Sequence, residues 1–325
     1  MRSDQPFVSP ETERSTHDAL ADARNEHVVI YIDGALVPRS QASVSVFDSG
    51  FLVGDGVWEG IRYHEGTFLF LDRHLNRLFQ GAATIGLNLG MTREDLVRIL
   101  MKTIRANGMR TGVHVRLMVT RGIKKTPSQD PRLTISGPTI VVIAEYKEAN
   151  PETARRGIRL FTAATRRGSP DYLDPQLNCH SKIHEVIALN QALAAGADEA
   201  LMLDIHGFVA TCNATNFFIV RGNEVWTSTG RYCLNGVTRG IVIELCRQHD
   251  ISVRERDFTL TNVYGASEAF VTGTFGGLTP VVAVDGRQIG SGVAGPRTVE
   301  LRGLYARAIA AQVELHRSEF VERSE

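Results

Sequence analysis

Apolar residues in this chain follow two rhythms. Runs that are β-branched and apolar predict strands at residues 28–32, 66–71, 113–120 and 139–144 in the first half. Apolar residues at helical spacing predict helices over 73–81 and 93–106. The pattern breaks at Glu148-Ala149-Asn150-Pro151-Glu152 and then resumes. The second half predicts strands at 158–163, 199–203, 217–220, 225–226, 251–253 and 269–271, and helices over 183–195, 239–249 and 297–315. Gly196 is placed to stop the first of these helices, and Asp33-Gly34, 221–224 and Asp285-Gly286 read as tight turns. Strands dominate and helices cover them, which predicts an α+β class. A length of 325 residues suits roughly two domains. The predicted division is a polar, loosely held extension over 1–26, a small α/β domain over 27–147, a linker over 148–156 and a larger α+β domain over 157–325.

Composition narrows the function classes. A hydrophobic fraction of 43% can fill a sizeable core, and a formal net charge of zero gives no electrostatic case for nucleic acid or an anionic membrane. No apolar run reaches the ~18 residues of a membrane span, and nothing at the start of the sequence has a signal-peptide pattern. The four cysteines, Cys179, Cys212, Cys233 and Cys246, lack metal-site spacing and read as reduced buried thiols in a cytoplasmic protein. No metal is expected.

One residue stands out chemically. Lys182 is the sole lysine after Lys147, and the other long basic residues of that stretch are all arginine. An amine can form an imine where a guanidinium cannot. The plainer reading is a surface lysine at a helix start. Two segments have the composition of anion sites: Gly236-Val237-Thr238-Arg239-Gly240, leading into a helix, and Thr272-Gly273-Thr274-Phe275-Gly276-Gly277, after a strand. Ordinary N-capping by Thr238 and a simple glycine turn are the alternatives. Arg77 suits bidentate phosphate contact, or a solvated helix face.

Six short segments in order resemble the fold type IV pyridoxal-phosphate aminotransferases. They are residues 54–62, His74-x-x-Arg77-Leu78, Val115-Arg116 through Thr120-Arg121-Gly122, residues 196–200, residues 236–239, and Thr272-Gly273-Thr274 through residues 278–281. The resemblance runs from about Tyr31 to Ala310. It implies a two-domain fold whose larger domain is barrel-like, a pyridoxal 5'-phosphate cofactor and a homodimer. Residue by residue, it implies that Arg77, Val237, Thr238 and Thr274 hold the cofactor phosphate. Thr211 and Asn216 would lie by the cofactor. Trp58, Arg62, Arg116, Phe275 and Gly276 would face the substrate, with Arg116 on its carboxylate. The arginine and histidine of the D-amino acid carboxylate trap are absent after Thr-Arg-Gly, where Ile123-Lys124-Lys125-Thr126-Pro127 stands.

Two positions depart from the family. An ungapped alignment puts Asn178 at the imine-forming position and Lys182 four residues later; a four-residue deletion in the following helix would instead make Lys182 the family lysine. Thr211 stands where a glutamate usually protonates the pyridine nitrogen, and threonine supplies no negative charge. The expected function is transfer of an amino group between an amino donor and a 2-oxo acid through a Lys182 imine. The donor is a branched-chain-like L-amino acid, or a D-amino acid or (R)-amine. A pyridoxal-phosphate lyase of the aminodeoxychorismate type and a non-catalytic binding protein are the alternatives. His180 and His184 would either assist proton transfer or hydrogen-bond locally.

Overall fold

The computed structural model of the chain describes residues 15–322. Contacts group it into two units. The first comprises Leu20–Glu148, Leu177–Lys182 and the chain from Ala306; the second comprises the described residues up to Ala19, Ala149–Gln176 and Ile183–Tyr305.

In chain order the first unit holds β1 (Val29–Ile32), β2 (Ala35–Pro38), α1 (Ser49–Val53), β3 (Gly56–His64), β4 (Thr67–Phe68), α2 (Leu71–Thr84), α3 (Arg93–Ala106), β5 (Val113–Thr120) and β6 (Thr139–Tyr146). They form a six-stranded antiparallel sheet in the order β2-β1-β6-β5-β3-β4. Strand periodicity sorts its two faces. Ile61 and Tyr63 of β3 and Val113, Val115, Leu117 and Val119 of β5 are buried with Leu75 and Leu78 of α2 and Leu96, Leu100 and Ile104 of α3. The alternate residues, Trp58, Gly60 and Arg62 of β3 and His114, Arg116 and Met118 of β5, point to the other face.

The second unit holds α4 (Pro151–Arg156), β7 (Ile158–Thr162), α5 (Ile183–Ala194), β8 (Glu199–Leu203), β9 (Val209–Cys212), β10 (Asn216–Arg221), β11 (Glu224–Thr227), α6 (Val237–Gln248), β12 (Val253–Glu255), α7 (Leu260–Tyr264), β13 (Glu268–Gly273), β14 (Gly277–Val284), β15 (Arg287–Gln288) and the start of α8 (Pro296–Glu322). Its sheet runs β12-β11-β10-β13-β14-β7-β8-β9, with β15 paired to β14. Strand β9 is last in that order, yet only residues 213–215 connect it to β10. So short a connection requires the sheet to curl toward itself, giving the barrel-like form expected of this half. Strands buried on both faces, such as β8 and β10, read as the continuous apolar runs seen in the sequence.

Several expectations are corrected. Residues 66–71 are not one strand: β4 ends at Phe68, and Phe70, at φ 53°, turns the chain into α2. The division between the units falls between Glu148 and Ala149, within the span 148–156, which also holds α4, capped by Asn150 through the Glu152 amide and with Pro151 in its first turn. The extension is not loose from Ser15 onward. Residues 1–14 lie outside the described residues, but Thr16 is buried and bonded to Glu199. The four cysteines are free and buried, and among the described residues no helix is long and apolar enough to cross a membrane.

Candidate active site

In the first unit the lysine-bearing segment is laid against β3. The Trp58 amide donates to the Asn178 carbonyl at 3.1 Å, and the His180 amide donates to the Gly56 carbonyl at 3.0 Å. Asn178 Nδ2 donates to the Trp58 carbonyl at 2.6 Å, and Trp58 Nε1 donates to the Cys179 carbonyl at 3.0 Å. These bonds fix the register of Lys182, which is half-buried with Nζ 5.9 Å from the Trp58 ring centre. The Arg116 guanidinium lies over the same ring at 3.7 Å. Arg116 pairs with Gly60, where an added Cβ would meet the His114 ring at 3.1 Å. Glycine therefore keeps this face low beside the two cations. Burial pushes the Arg116 guanidinium down from its usual value, with the Glu59 carboxylate opposing that shift. Arg62 stands opposite His114 on this face. The structure thus brings Trp58, Arg62, Arg116 and Lys182 onto one unit.

Asn178 is 5% exposed, its Nδ2 donates to the β3 backbone, and its buried Oδ1 has no hydrogen-bond partner within the protein. The position that an ungapped alignment assigns to the imine is therefore a buried strap on β3. His180 Nε2 donates to the Val57 carbonyl at 3.1 Å. Burial, together with the charges of Arg116 and Lys182, holds its pKa below the ordinary value, against the pull of the Val57 bond and Asp48. A neutral imidazole bonded to backbone fits the local role for His180. His184, in the second unit, meets the Tyr172 ring edge-on at 6.4 Å.

Arg77 lies across the sheet from Trp58. Its Nε and Nη2 donate to the two oxygens of Glu59 at 2.7 and 2.8 Å, and His74 Nδ1 is 2.7 Å from Glu59 Oε2. Burial pushes the Glu59 carboxyl up, but Arg77 and His74 outweigh it and hold the group below its ordinary value. The fork of Arg77 is thus oriented by a fully buried carboxylate. Sequence reading found the His74-x-x-Arg77 spacing but not the acceptor it serves.

In the second unit the two glycine-bearing segments converge through Asn216. Asn216 pairs with Thr272 across β10 and β13, and its Nδ2 donates to the Leu234 carbonyl at 2.9 Å. A Cβ on Gly236 would lie 2.2 Å from Asn216 Oδ1, so only glycine admits this approach. Helix α6 starts at Val237 with Gly236 as N-cap and no side-chain capping bond. Thr238 is therefore the second helical residue and not the N-cap, which corrects both the predicted helix start at Arg239 and the capping alternative. Residues 274–276 turn the β13–β14 hairpin, with Phe275 buried. The buried Thr272 Oγ1 has no hydrogen-bond partner within the protein. A helix N-terminus without a side-chain cap, an orphaned buried hydroxyl and a glycine-rich hairpin fit a phosphate. Thr211 Oγ1 donates to the Thr215 carbonyl at 2.7 Å and lies 3.4 Å from Asn216 Nδ2, so it offers a lone pair toward a ligand, not a proton.

The family model for amino-transferase class IV matches residues 56–284. This chain belongs to the class IV aminotransferases. A branched-chain-amino-acid aminotransferase-like protein of Arabidopsis thaliana is 39% identical over 88% of this chain and 51% of its own length. The chain thus spans about half of that relative. D-alanine aminotransferase of Listeria monocytogenes is 31% identical over 86% of this chain and 96% of its own. Among solved structures, the T.th. branched-chain amino acid aminotransferase with pyridoxamine 5'-phosphate superposes with a TM-score of 0.82 at 30% identity, covering 87% of this chain and 94% of that one.

Proposed function

We propose that this class IV protein is a pyridoxal-phosphate aminotransferase that passes an amino group from a hydrophobic amino acid to a 2-oxo acid. The observation that carries the reading is Lys182, half-buried and registered by the β3 ladder, with Arg116 over the same tryptophan. When bound, the cofactor supplies an aldehyde that accepts amines and a ring that draws electrons from the reacting carbon. Lys182 Nζ is the amine that would hold the cofactor at its aldehyde, and as a free amine it would take up and give back a proton at Nζ. Arg116 binds the substrate carboxylate, and Trp58 and Arg62 line the substrate cavity.

In the second unit the Val237 and Thr238 amides, the Thr238 hydroxyl and Thr274 would hold the phosphate; in the first unit Arg77 carries a guanidinium of phosphate-binding geometry. Thr211 Oγ1, its proton committed to Thr215, would offer the ring nitrogen an uncharged acceptor. The relatives named for branched-chain amino acids and for D-alanine support a hydrophobic or small amino acid as donor. A homodimer is part of this reading, supported by the exposed apolar residues Val44, Val46, Phe47, Phe51 and Val53.

The test is spectroscopic. Purified protein loaded with pyridoxal phosphate should show an absorbance band that borohydride removes, with a reduced adduct on the Lys182 peptide. Lys182→Ala should lose both. L-leucine, D-alanine and (R)-1-phenylethylamine, supplied separately, should distinguish donors by which one converts the bound cofactor. An adduct that persists in Lys182→Ala rejects the assignment.

A further inference from the structure

The chain ahead of β1 carries a device that the class IV match, which begins at residue 56, does not include. Glu199 is 1% exposed and opens β8. Its Oε1 accepts from the Thr16 amide at 2.7 Å, the Thr16 hydroxyl at 2.5 Å and the Ser15 hydroxyl at 3.3 Å, and its Oε2 accepts from the Thr215 hydroxyl at 3.4 Å. Among the described residues, no Lys or Arg forms an ion pair with Glu199, so these hydroxyl and amide donors are what hold it. A buried carboxyl without a cation depends on such donors to offset its lost hydration.

The segment is anchored again two residues on. The Asn150 amide donates to the Asp18 carbonyl at 3.2 Å, Asn150 Nδ2 donates to Asp18 Oδ2 at 2.9 Å, and Ala19 bridges Ala149. Between these anchors the chain runs over the β13–β14 turn. The Thr16 carbonyl would lie 2.9 Å from a Cβ on Gly276, so glycine there permits backbone to lie against backbone. The His17 ring stacks on Phe275 with centroids 6.3 Å apart and planes 24° apart.

We propose that residues 15–17 are a positioning strap: seated by Thr16 on Glu199, they hold Phe275 and Gly276 in place and so set how tightly the site grips its amino acid. This rests on the reading of that turn as substrate-facing. The strap touches no reacting atom. It limits the freedom of a three-residue hairpin turn flanked by Gly273 and Gly277. Loosening the turn raises the cost of ordering it around substrate, which weakens binding more than it slows chemistry.

The test uses the full chain loaded with pyridoxal phosphate, in three forms: wild type, Thr16→Ala and Thr16→Ser. Amide hydrogen exchange over residues 273–279 and steady-state kinetics with L-leucine or D-alanine are both read. Thr16→Ala should exchange faster there and raise the amino-donor KM roughly ten-fold, with kcat within about two-fold, a loss of one decade in affinity. Thr16→Ser keeps the hydroxyl and should restore both. Unchanged exchange in Thr16→Ala overturns the strap whatever the substrate. Faster exchange with unchanged KM reduces it to packing and overturns the positioning role. Faster exchange in a protein that turns over neither amino acid upholds the hold on the turn and rejects the substrate reading instead.

Discussion

The Arg116 guanidinium sits 3.7 Å above the centre of the Trp58 ring, on the sheet face opposite the helices. A planar cation can lie flat on an indole and still direct its edge donors at a carboxylate, which an ammonium cannot do. Arg116→Lys should therefore raise the amino-donor KM about ten-fold, a cost near 1.4 kcal/mol. Borohydride trapping at Lys182 should persist. Steady-state kinetics with a panel of amino donors checks this, and an unaltered KM would remove Arg116 from carboxylate binding.

Asn178 and Lys182 are not interchangeable. Asn178 is buried and bonded to the Trp58 carbonyl, whereas Lys182 is half-buried near the indole. The double variant Asn178→Lys/Lys182→Ala should form no borohydride-trapped adduct. Placing an amine at 178 should also destabilise the fold by about 2–4 kcal/mol, because it buries an ionisable group in a site built for an amide. Mass spectrometry of the reduced protein and urea unfolding read the two effects. An adduct at position 178 would show that the ungapped alignment gives the working geometry.

Glu59 links acid stability to the orientation of Arg77. Its carboxyl is held below the ordinary value of 4.5 by Arg77 and His74, against the upward push of burial. Its contribution is present above pH 4.5 and is lost as pH falls through the depressed folded-state value. Glu59→Gln should cost about 3–5 kcal/mol at neutral pH, since it removes the carboxylate that faces a partly buried arginine. The gap between wild type and variant should shrink on acidification. Urea midpoints across that range test it, and a gap that stays constant would contradict it.

Glu199 has the opposite sign. Burial pushes its carboxyl above the ordinary 4.5, opposed by the bonds from Thr16, Ser15 and Thr215. Its contribution is full below pH 4.5 and is lost as pH rises through the folded-state value. Glu199→Gln removes that titration, so the thermal midpoint of wild type should fall relative to the variant as pH rises. Calorimetry at several pH values decides it; parallel curves would mean that Glu199 does not titrate in the fold.

The sequence exposed what repeats and hid what pairs at a distance. Alternating β5 and the periodic α2 and α3 were legible because their burial follows one period over many residues. Strand β3 lacks a strand signature because its glycines, Glu59 and Arg62 interrupt an apolar pattern. Strand β14 carries Gly277 and Pro280 and was lost for similar reasons. At the candidate site, the residues with a marked chemistry, Lys182, Arg116, Thr238 and Thr274, could be picked out singly. Their holders could not. Glu59 reaches Arg77 across 18 positions and Thr16 reaches Glu199 across 183, and no local pattern encodes either bond.

The backbone bonds from Gly56 and Trp58 to His180 and Asn178 also bear on how this locus tolerates change. The segment that carries the amine takes its register from a strand more than a hundred residues upstream. A change of length in α5 falls downstream of these bonds and leaves the ladder that registers residues 178 and 180 in place. Length drift in that helix and constancy of that register are thereby made compatible in a single stretch of chain.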